Sequence, residues 1–374
     1  MAIFLFDILG ATGHVKPTLR LAVILKEQGH EVFYTHTSRS IFSSYLAQNS
    51  IGTMLYPGDL RTCFPDLVLL DQVLRDRADF YEYLRIPFIY VESALSGLKR
   101  QGVPPLDSGF IPTNSRFSDF ICDLLWALKS RKNITTLVKQ LVLAATPLDY
   151  PGEVDLLVEN VGPFWSEVKN VYTSPRQKQS LYSFLDKRRV EGKNILYCSL
   201  GTYQGFSDSL KVRHFYKILR LLCERHSEYE LVVSINGKIH AFDLMPLPRN
   251  MRIFKWMNQS EVLPYCDLVI THGGMNTLTE CVLAGVPMLV YPQATHFDQC
   301  GNAARIVYHK LGARGNMRNV TVNSMHEKIQ QIIDDKRSIS KRLIDMRELF
   351  IRKNASMDLT VDSLLCHCEN LKKR

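Results

Sequence analysis

The sequence predicts an α/β protein built from two doubly wound, Rossmann-like domains. Its 374 residues exceed what one hydrophobic core usually supports, so two domains are expected. Short apolar runs alternate with longer helical patterns in both halves, which is typical of parallel sheets. Polar and glycine-rich stretches follow several of these runs, at the edge where parallel sheets bind ligands.

The first half contains several strand patterns and one unusual turn. The strand patterns occupy residues 3–6, 31–35, 67–70 and 88–91. After the first of them, a turn with Gly13 and His14 precedes Pro17, and an amphipathic helix pattern follows. The polar stretch 172–179 lacks periodicity and predicts a linker, so that residues 1–175 form the first domain.

The second half, residues 176–354, repeats the alternation. Its strand patterns occupy residues 195–199, 230–235, 268–270 and 288–291. Residues 341–371 predict one or two further helices. Each half therefore has enough strands for a parallel sheet of its own.

A turn of His272, Gly273 and Gly274 follows the strand pattern 268–270, and the next helix is expected to begin near Met275. At a helix N-terminus the first backbone N–H groups have no partner within the helix and carry about half a positive charge. A diphosphate placed there gains hydrogen bonds and dipole stabilisation. We therefore predict a diphosphate-binding turn, with His272 as an additional donor.

Further polar side chains extend this predicted site. Asn276 and Thr277 add donors at the start of the helix, and Glu280 lies one turn deeper on the same face as Asn276, a position that suits a ribose hydroxyl. Asp298 and Gln299 follow the next strand at its carboxyl end, where they can hold the hydroxyls of a sugar. Together these residues predict a nucleotide-sugar site.

The order of these residues resembles the donor-binding signature of the UDP-glycosyltransferase superfamily. The matching positions are Trp256, Gln259, His272, Gly273, Gly274, Asn276, Thr277, Glu280, Gly285, Pro287, Asp298 and Gln299. The resemblance implies that Trp256 walls the uracil, that Gln259 meets the base or ribose, and that Thr202 contacts the β-phosphate. It also implies the GT-B fold, with the site in the cleft between the domains. A last helix, about residues 355–374, would pack back on the first domain.

The resemblance also implies a catalytic pair. Members of the superfamily place their catalytic histidine in a Gly-His-x-x-Pro turn, which His14 and Pro17 match. An imidazole with a pKa of about 6.5 suits a general base at neutral pH. Asp71, which ends the strand pattern 67–70, resembles the partner aspartate and would fix the tautomer of His14. A single displacement on an α-linked donor would then invert the anomeric centre.

Composition and charge indicate the expected location and binding partners of the protein. Cysteines such as Cys198 and Cys281 fall inside apolar elements, which favours reduced thiols and a cytoplasmic protein. The sequence has no evident secretory signal or membrane-spanning run. No metal is expected, because Cys366-His-Cys368 lacks a second ligand pair at metal-site spacing. The net charge of +9 is spread along the chain without a nucleic-acid motif, so nucleic acid is not an expected partner.

One basic and apolar segment, residues 116–132, leaves two interpretations open. Its apolar residues recur at helical spacing beside Lys129, Arg131 and Lys132. The segment predicts either a helix of an acceptor pocket or a helix that rests on a membrane interface.

The activity that the resemblance implies is inverting, metal-independent transfer of a hexose from a UDP-sugar to a hydroxyl of a small lipophilic acceptor. Such acceptors include natural products, carotenoids, sterols and macrolides. Two alternatives keep the fold: a UDP-sugar epimerase and a transferase of cell-wall intermediates. A third is a catalytically silent nucleotide-sugar-binding partner of another transferase. UDP would be a product, no separate cofactor is expected, and the sugar, the choice between UDP and TDP, and the oligomeric state stay open.

Overall fold

The computed structural model of the chain divides into two compact units. It describes residues 1–35, 39–61, 64–95, 97–129, 139–153, 158–163, 175–202, 209–235, 241–294, 297–355 and 357–372. The first unit comprises Met1–Val103, Trp126–Val168 and Leu349–Arg374, and the second comprises Pro104–Leu125 and Lys169–Glu348.

The first unit is organised around a parallel sheet. Its strands are β1 (Ile3–Asp7), β2 (Glu31–Thr35), β3 (Gly52–Met54), β4 (Leu67–Asp71), β5 (Phe88–Glu92), β6 (Gln140–Val142) and β7 (Val158–Asn160). Their order across the sheet is β3-β2-β1-β4-β5-β6-β7. The helices in this part of the chain are α1 (Thr12–Glu27), α2 (Arg39–Gln48), α3 (Ala78–Tyr83) and α4 (Arg116–Lys129), of which α4 lies mostly in the second unit. Because β1 and β4 lie side by side, the loops after them meet at one edge of the sheet.

The core of the first unit includes the last described helix, α12 (Met357–Lys372). Val361, Leu364 and Cys368 of α12 are buried in the same apolar cluster as Phe4 and Leu69 of the central strands. The burial of these side chains places α12 in the first unit, although it follows the second unit in the chain.

The second unit has its own parallel sheet. Its strands are β8 (Asn194–Ser199), β9 (Tyr229–Ser234), β10 (Met251–Phe254), β11 (Leu268–Thr271), β12 (Met288–Val290) and β13 (Gly312–Arg314). Their order is β10-β9-β8-β11-β12-β13. The helices are α5 (Pro175–Val190), α6 (Ser209–Arg225), α7 (Gln259–Val262), α8 (Met275–Ala284), α9 (Gln299–Tyr308), α10 (Val322–Asp334) and α11 (Lys336–Ala355). The predicted α/β class with two doubly wound, Rossmann-like sheets is confirmed.

Two boundaries differ from those that the sequence suggests. Of the predicted linker 172–179, residues 172–174 lie outside the described residues, and the rest form the first turns of α5, since proline is well suited to the first position of a helix. Pro104–Leu125 belongs to the second unit. There, Arg314 donates to the backbone carbonyl of Gly109, and the absence of a Cβ at Gly301 lets the carbonyl of Leu106 approach closely.

Candidate active site

The first unit brings His14 and Asp71 into direct contact. His14 lies in the first turn of α1, and Asp71 is the last residue of β4. Nδ1 of His14 is 2.8 Å from Oδ2 of Asp71. The imidazole is 24% exposed whereas the carboxylate is only 4% exposed. The ring is thus open to a ligand while its partner is shielded from water.

Asp71 is held in place by the backbone on both sides. Its Oδ2 accepts the N–H of Leu9 at 3.0 Å, and its Oδ1 accepts the N–H of Val73 at 3.0 Å. A carboxylate only accepts hydrogen bonds, so the short contact with Asp71 places the ring proton of His14 on Nδ1. That tautomer leaves the lone pair of His14 on Nε2.

A third side chain joins this pair. Oγ of Ser93 lies 3.2 Å from Nδ1 of His14. Ser93 directly follows β5, which pairs with β4, so neighbouring strands present Asp71 and Ser93 at the same edge of the sheet. Ser93 was not among the residues predicted from the sequence; its position after a buried strand is the signal that could have identified it.

In the second unit, the turn between β11 and α8 has the shape that the sequence predicts. Gly273 adopts φ +90°, and a Cβ there would lie 2.8 Å from Cγ1 of Val290 and 3.2 Å from the carbonyl of Gln299. Gly274 is the N-cap residue of α8, and no side chain caps its N–H groups. The first N–H groups of α8 are therefore suited to an anionic ligand.

The ring of His272 occupies a slot between two glycines. A Cβ at Gly201 would lie 2.6 Å from Cε1 of His272, and a Cβ at Gly274 would lie 2.7 Å from the same atom. Gly201 has φ +74°, and the exposed Thr202 follows it. The loop after β8 and the turn after β11 thus meet at His272, where both can contact one phosphate group.

Gln259 connects α7 to the face of α8. Its Nε2 lies 3.4 Å from Oγ1 of Thr277 and 3.3 Å from Oε2 of Glu280. Trp256, which lies between β10 and α7, is partly buried, as are Asn276 and Glu280. The contacts of Gln259 are long hydrogen bonds, so competition from ribose hydroxyls costs little.

Asp298 and Gln299 are tied to the surrounding backbone. Oε1 of Gln299 accepts the N–H groups of Gln293 at 2.8 Å and Ala294 at 3.1 Å. Oδ2 of Asp298 accepts from Nδ2 of Asn302 at 2.8 Å. Since the loop after β12 engages the amide oxygen of Gln299, its amide nitrogen is the group suited to a sugar oxygen.

Asn302 links the two parts of this site and was not identified from the sequence. It is fully buried, and its Nδ2 also donates to the carbonyl of Gly273 at 2.9 Å. One amide therefore fixes both Asp298 and the glycine turn. Its spacing of four residues after Asp298, on one helix face, is the signal that could have identified it.

A cavity of about 290 Å³ opens within the second unit next to this loop, lined by Lys211, Gln293, Cys300, Arg314 and Arg318 among others. Burial raises the pKa of the Cys300 thiol, so the thiol adds no negative charge at neutral pH. The cationic side chains attract an anionic ligand to this edge. They lie on separate segments without a motif, which is why the sequence did not indicate them.

Among the described helices, none is long and apolar enough to cross a bilayer.

Two doubly wound units, one with a His-Asp pair and one with a glycine turn at a helix N-terminus, define the class of GT-B glycosyltransferases. Comparison with solved structures agrees. The chain resembles the glycotransferase of kitacinnamycin with a TM-score of 0.71 at 18% identity, covering 96% of this chain and 98% of the other. It resembles Phytolacca americana UGT2 with a TM-score of 0.70 at 14% identity, covering 99% and 100% of the two chains.

Sequence comparison supports the same class. Residues 221–348 match the family described as erythromycin biosynthesis protein CIII-like, C-terminal domain. The chain is 25% identical to the NDP-glycosyltransferase YjiC of Bacillus subtilis (strain 168), covering 88% of this chain and 89% of that protein. It is 24% identical to the demethyllactenocin mycarosyltransferase of Streptomyces fradiae, covering 93% and 82%. These matches support membership of the UDP-glycosyltransferase superfamily, and the protein is a glycosyltransferase.

Proposed function

We propose that the protein transfers a hexose from a UDP-sugar, with inversion, to a hydroxyl of a small lipophilic acceptor. The observation that carries this proposal is the 2.8 Å contact between Nδ1 of His14 and Oδ2 of Asp71. It supplies an oriented base at an edge of a parallel sheet, where this class of fold binds its ligands.

The base acts through Nε2 of His14. As the acceptor oxygen attacks the anomeric carbon, Nε2 takes its proton, and Asp71 stabilises the imidazolium that forms. The bond from the anomeric carbon to the new oxygen forms while the bond to the phosphate oxygen breaks. UDP leaves with the electron pair, and attack from the opposite face inverts the anomeric centre.

The second unit stabilises the leaving group. The N–H groups at the start of α8 and the ring of His272 receive the charge that develops on the diphosphate, with Thr202, Asn276 and Thr277 as further donors. These groups supply the stabilisation that a divalent ion would otherwise give. We expect the initial rate to be unchanged by EDTA.

Donor selection rests on side chains of the same unit. Trp256 walls the base, and Gln259 and Glu280 bind the base and ribose. Glu280 distinguishes a ribose from a 2′-deoxyribose, since its carboxylate accepts from the 2′-hydroxyl, and this favours UDP over TDP. Asp298 and Gln299 bind the hydroxyls of the hexose.

A lipophilic acceptor is supported by the relatives and by α4. A zeaxanthin glucosyltransferase of Pantoea ananas is 32% identical over 143 residues, which cover 38% of this chain and 31% of that protein. In α4, Phe117, Phe120 and Leu128 are more than half exposed. This face would rest on a membrane surface from which a lipophilic acceptor enters. Arg131 and Lys132, which the sequence adds to this surface, lie outside the described residues.

Membrane contact is tested by flotation with vesicles that contain anionic lipid. Replacing Phe117 and Phe120 by Ser is expected to abolish binding, because the apolar face is lost. Val190→Ser is the control, since Val190 is equally exposed but lies on α5. Binding that survives the double replacement would exclude α4 as the contact surface. Cys198 and Cys281 are buried in apolar elements, which supports the proposed reducing, cytoplasmic location.

The transfer itself is tested by incubating the protein with a panel of UDP- and TDP-sugars and a mixed acceptor library, followed by mass spectrometry. The added mass names the sugar, and the shifted compound names the acceptor. A free altered sugar would instead indicate an epimerase. A cell-wall intermediate with increased mass would indicate a different acceptor class. Binding of donor without any product would indicate a silent partner. His14→Ala must abolish turnover; unchanged turnover would overturn the mechanism.

A further inference from the structure

A cluster of two histidines and a glutamate lies in the second unit, away from the residues assigned above. His226 and Glu228 lie in the turn between α6 and β9, and His326 lies in α10. Each side chain offers one potential ligand atom, and these atoms all lie within 4.8 Å of one another. This combination of imidazole and carboxylate is a ligand set typical of zinc.

The separation of two of these atoms already suits a metal ion. Nδ1 of His226 lies 3.1 Å from Oε1 of Glu228. In a tetrahedral zinc site with bonds of about 2.0–2.1 Å, neighbouring ligand atoms are roughly 3.3 Å apart. A zinc ion can therefore replace the proton that the two groups share, and the side chain of Glu228, which is 45% exposed, can follow a movement of His226.

His326 is oriented by a neighbour in the way that metal-binding histidines usually are. Its Nδ1 lies 2.9 Å from the hydroxyl of Tyr229, and Nε2 of Gln330 donates to the same hydroxyl at 2.6 Å. The hydroxyl oxygen can accept the N–H of Nδ1 as well as that of Gln330. That arrangement leaves the lone pair of His326 on Nε2, as metal ligation requires.

The two imidazole rings require one adjustment. They are stacked, with centroids 3.8 Å apart and planes inclined by 16°. Lone pairs of stacked rings run side by side, so one ring must turn before both point at a single ion. His226 lies in the short connection after α6 and is only partly buried, which makes it the ring that turns.

We propose that His226, Glu228 and His326 form a zinc site with three protein ligands and a water molecule. His226 and Glu228 precede β9, whereas the donor residues follow the carboxyl ends of β8, β11 and β12. The site therefore lies at the opposite edge of the same parallel sheet. Its role is structural: the ion fastens the connection between α6 and β9 to α10, and it takes no part in glycosyl transfer.

The proposal is tested by titrating the metal-free protein, without an affinity tag, with Zn²⁺ in a calorimeter and by thermal unfolding. We expect one equivalent to bind and the midpoint of unfolding to rise, because the ion binds the folded state. Co²⁺ provides a second readout, since a tetrahedral site gives visible absorption bands.

His226→Ala and His326→Ala are each expected to weaken zinc binding by at least about tenfold and to remove the visible bands of Co²⁺. Glu228→Gln removes the anionic ligand at a half-exposed position, so it tests the site even if a histidine variant fails to fold. His214→Ala is the control, because His214 is exposed on α6. The absence of binding, or binding that Glu228→Gln and both histidine variants leave unchanged, would overturn the proposal.

Discussion

Asp71 performs two tasks at once at the end of β4. One of its oxygens accepts from His14 and Leu9, and the other accepts from Val73. An acceptor-only carboxylate can satisfy all of these donors, whereas an amide cannot. The residue therefore holds the loops after β1 and β4 in place as well as the imidazole.

We expect Asp71→Asn to lower kcat by roughly 10²- to 10⁴-fold, because His14 loses the partner that fixes its tautomer. The KM for the UDP-sugar should change by less than about twofold, since the donor residues lie in the second unit. The stability should fall by about 1–3 kcal/mol as a donor faces a backbone N–H. Steady-state kinetics and denaturant unfolding measure these quantities.

Asp79→Asn is the control for this prediction. Asp79 is exposed in the first turn of α3 and has no part in the pair, so its replacement should leave kcat unchanged. If Asp71→Asn retained the wild-type kcat, the orienting role of Asp71 would be wrong.

A second prediction at this scale concerns a buried carboxyl in the second unit. Burial raises the pKa of Glu230 above its usual value of 4.5, although Arg188 opposes the shift. In this ion pair, a guanidinium nitrogen of Arg188 lies 3.1 Å from Oε1 of Glu230. A raised pKa in the folded state means that stability is full below the usual value and is lost as the pH rises through the folded value.

Glu230→Gln removes this ionisation. The unfolding midpoint of the variant should therefore rise relative to wild type as the pH increases above the usual value of 4.5. Arg188 keeps its other partner, Glu191, at 2.9 Å. Glu191→Gln leaves the buried carboxyl in place and should retain most of the wild-type pH dependence, since Glu191 is the smallest cause of the shift. Parallel curves for wild type and Glu230→Gln would contradict the prediction.

Among the elements, the loop after β8 and the turn after β11 act together through His272. Each contributes a glycine whose missing Cβ makes room for the imidazole. The position of the ring therefore depends on two segments that are about seventy residues apart in the chain, and a side chain added to either one displaces it.

Gly201→Ala should weaken UDP binding by about tenfold or more, because its Cβ would overlap the ring of His272 and displace a donor to the diphosphate. Gly285→Ala is the matched control: Gly285 has φ +71°, close to the φ +74° of Gly201, but nothing lies within 4 Å of its Cβ. Both variants should lose about 1–2 kcal/mol from backbone strain. Calorimetry measures the UDP affinity of each variant. Equal affinities would contradict the proposal that the space at Gly201 positions the ring of His272.

Elements with strong local signals could be predicted from the sequence, whereas elements without such signals could not. β11, α8 and β12 are marked by an apolar run, a glycine turn, the C-cap Gly285 and Pro287, and they occur where predicted. β3, β6 and β13 are three residues long, too short for a period of two to be detected, and they lack the flanking signals that identify the equally short β12. Neighbouring strands, rather than local patterns, define them as strands.

The same distinction applies to the site. Motif residues such as His272 and Gln299 could be identified because their spacing along the chain is informative. Ser93 and Asn302 have only a weak local signal, a position after a strand or on a helix face, because the partners at His14 and Gly273 lie 79 and 29 residues away. Their importance comes from folding, which brings distant backbone and side chains together.

At the scale of the whole molecule, each unit has its own parallel sheet and all the proposed donor residues belong to the second. The buried face of α12 belongs to the first. A defect in the packing of α12 should therefore leave the nucleotide site intact. The division was predictable in outline from chain length and alternation, but the assignment of Pro104–Leu125 depends on contacts that no local pattern indicates.

Leu364→Ala tests this division. Leu364 is fully buried, so its truncation should destabilise the protein by about 2–5 kcal/mol, while the affinity for UDP stays within about twofold of wild type. Asp362→Ala, at an exposed position of the same helix, should affect neither. Denaturant unfolding and calorimetry measure the two quantities, and loss of UDP affinity in folded Leu364→Ala would contradict the division.

The place of α12 in the first core also constrains how the chain is made. A ribosome releases Phe4 and Leu69 early, but their packing partners Val361 and Leu364 emerge only after the entire second unit has been synthesised. The second sheet can therefore close while the first still exposes apolar surface. During translation the first unit therefore keeps apolar surface exposed until its last helix is made, and a stop codon before residue 357 yields a chain whose first unit lacks part of its core.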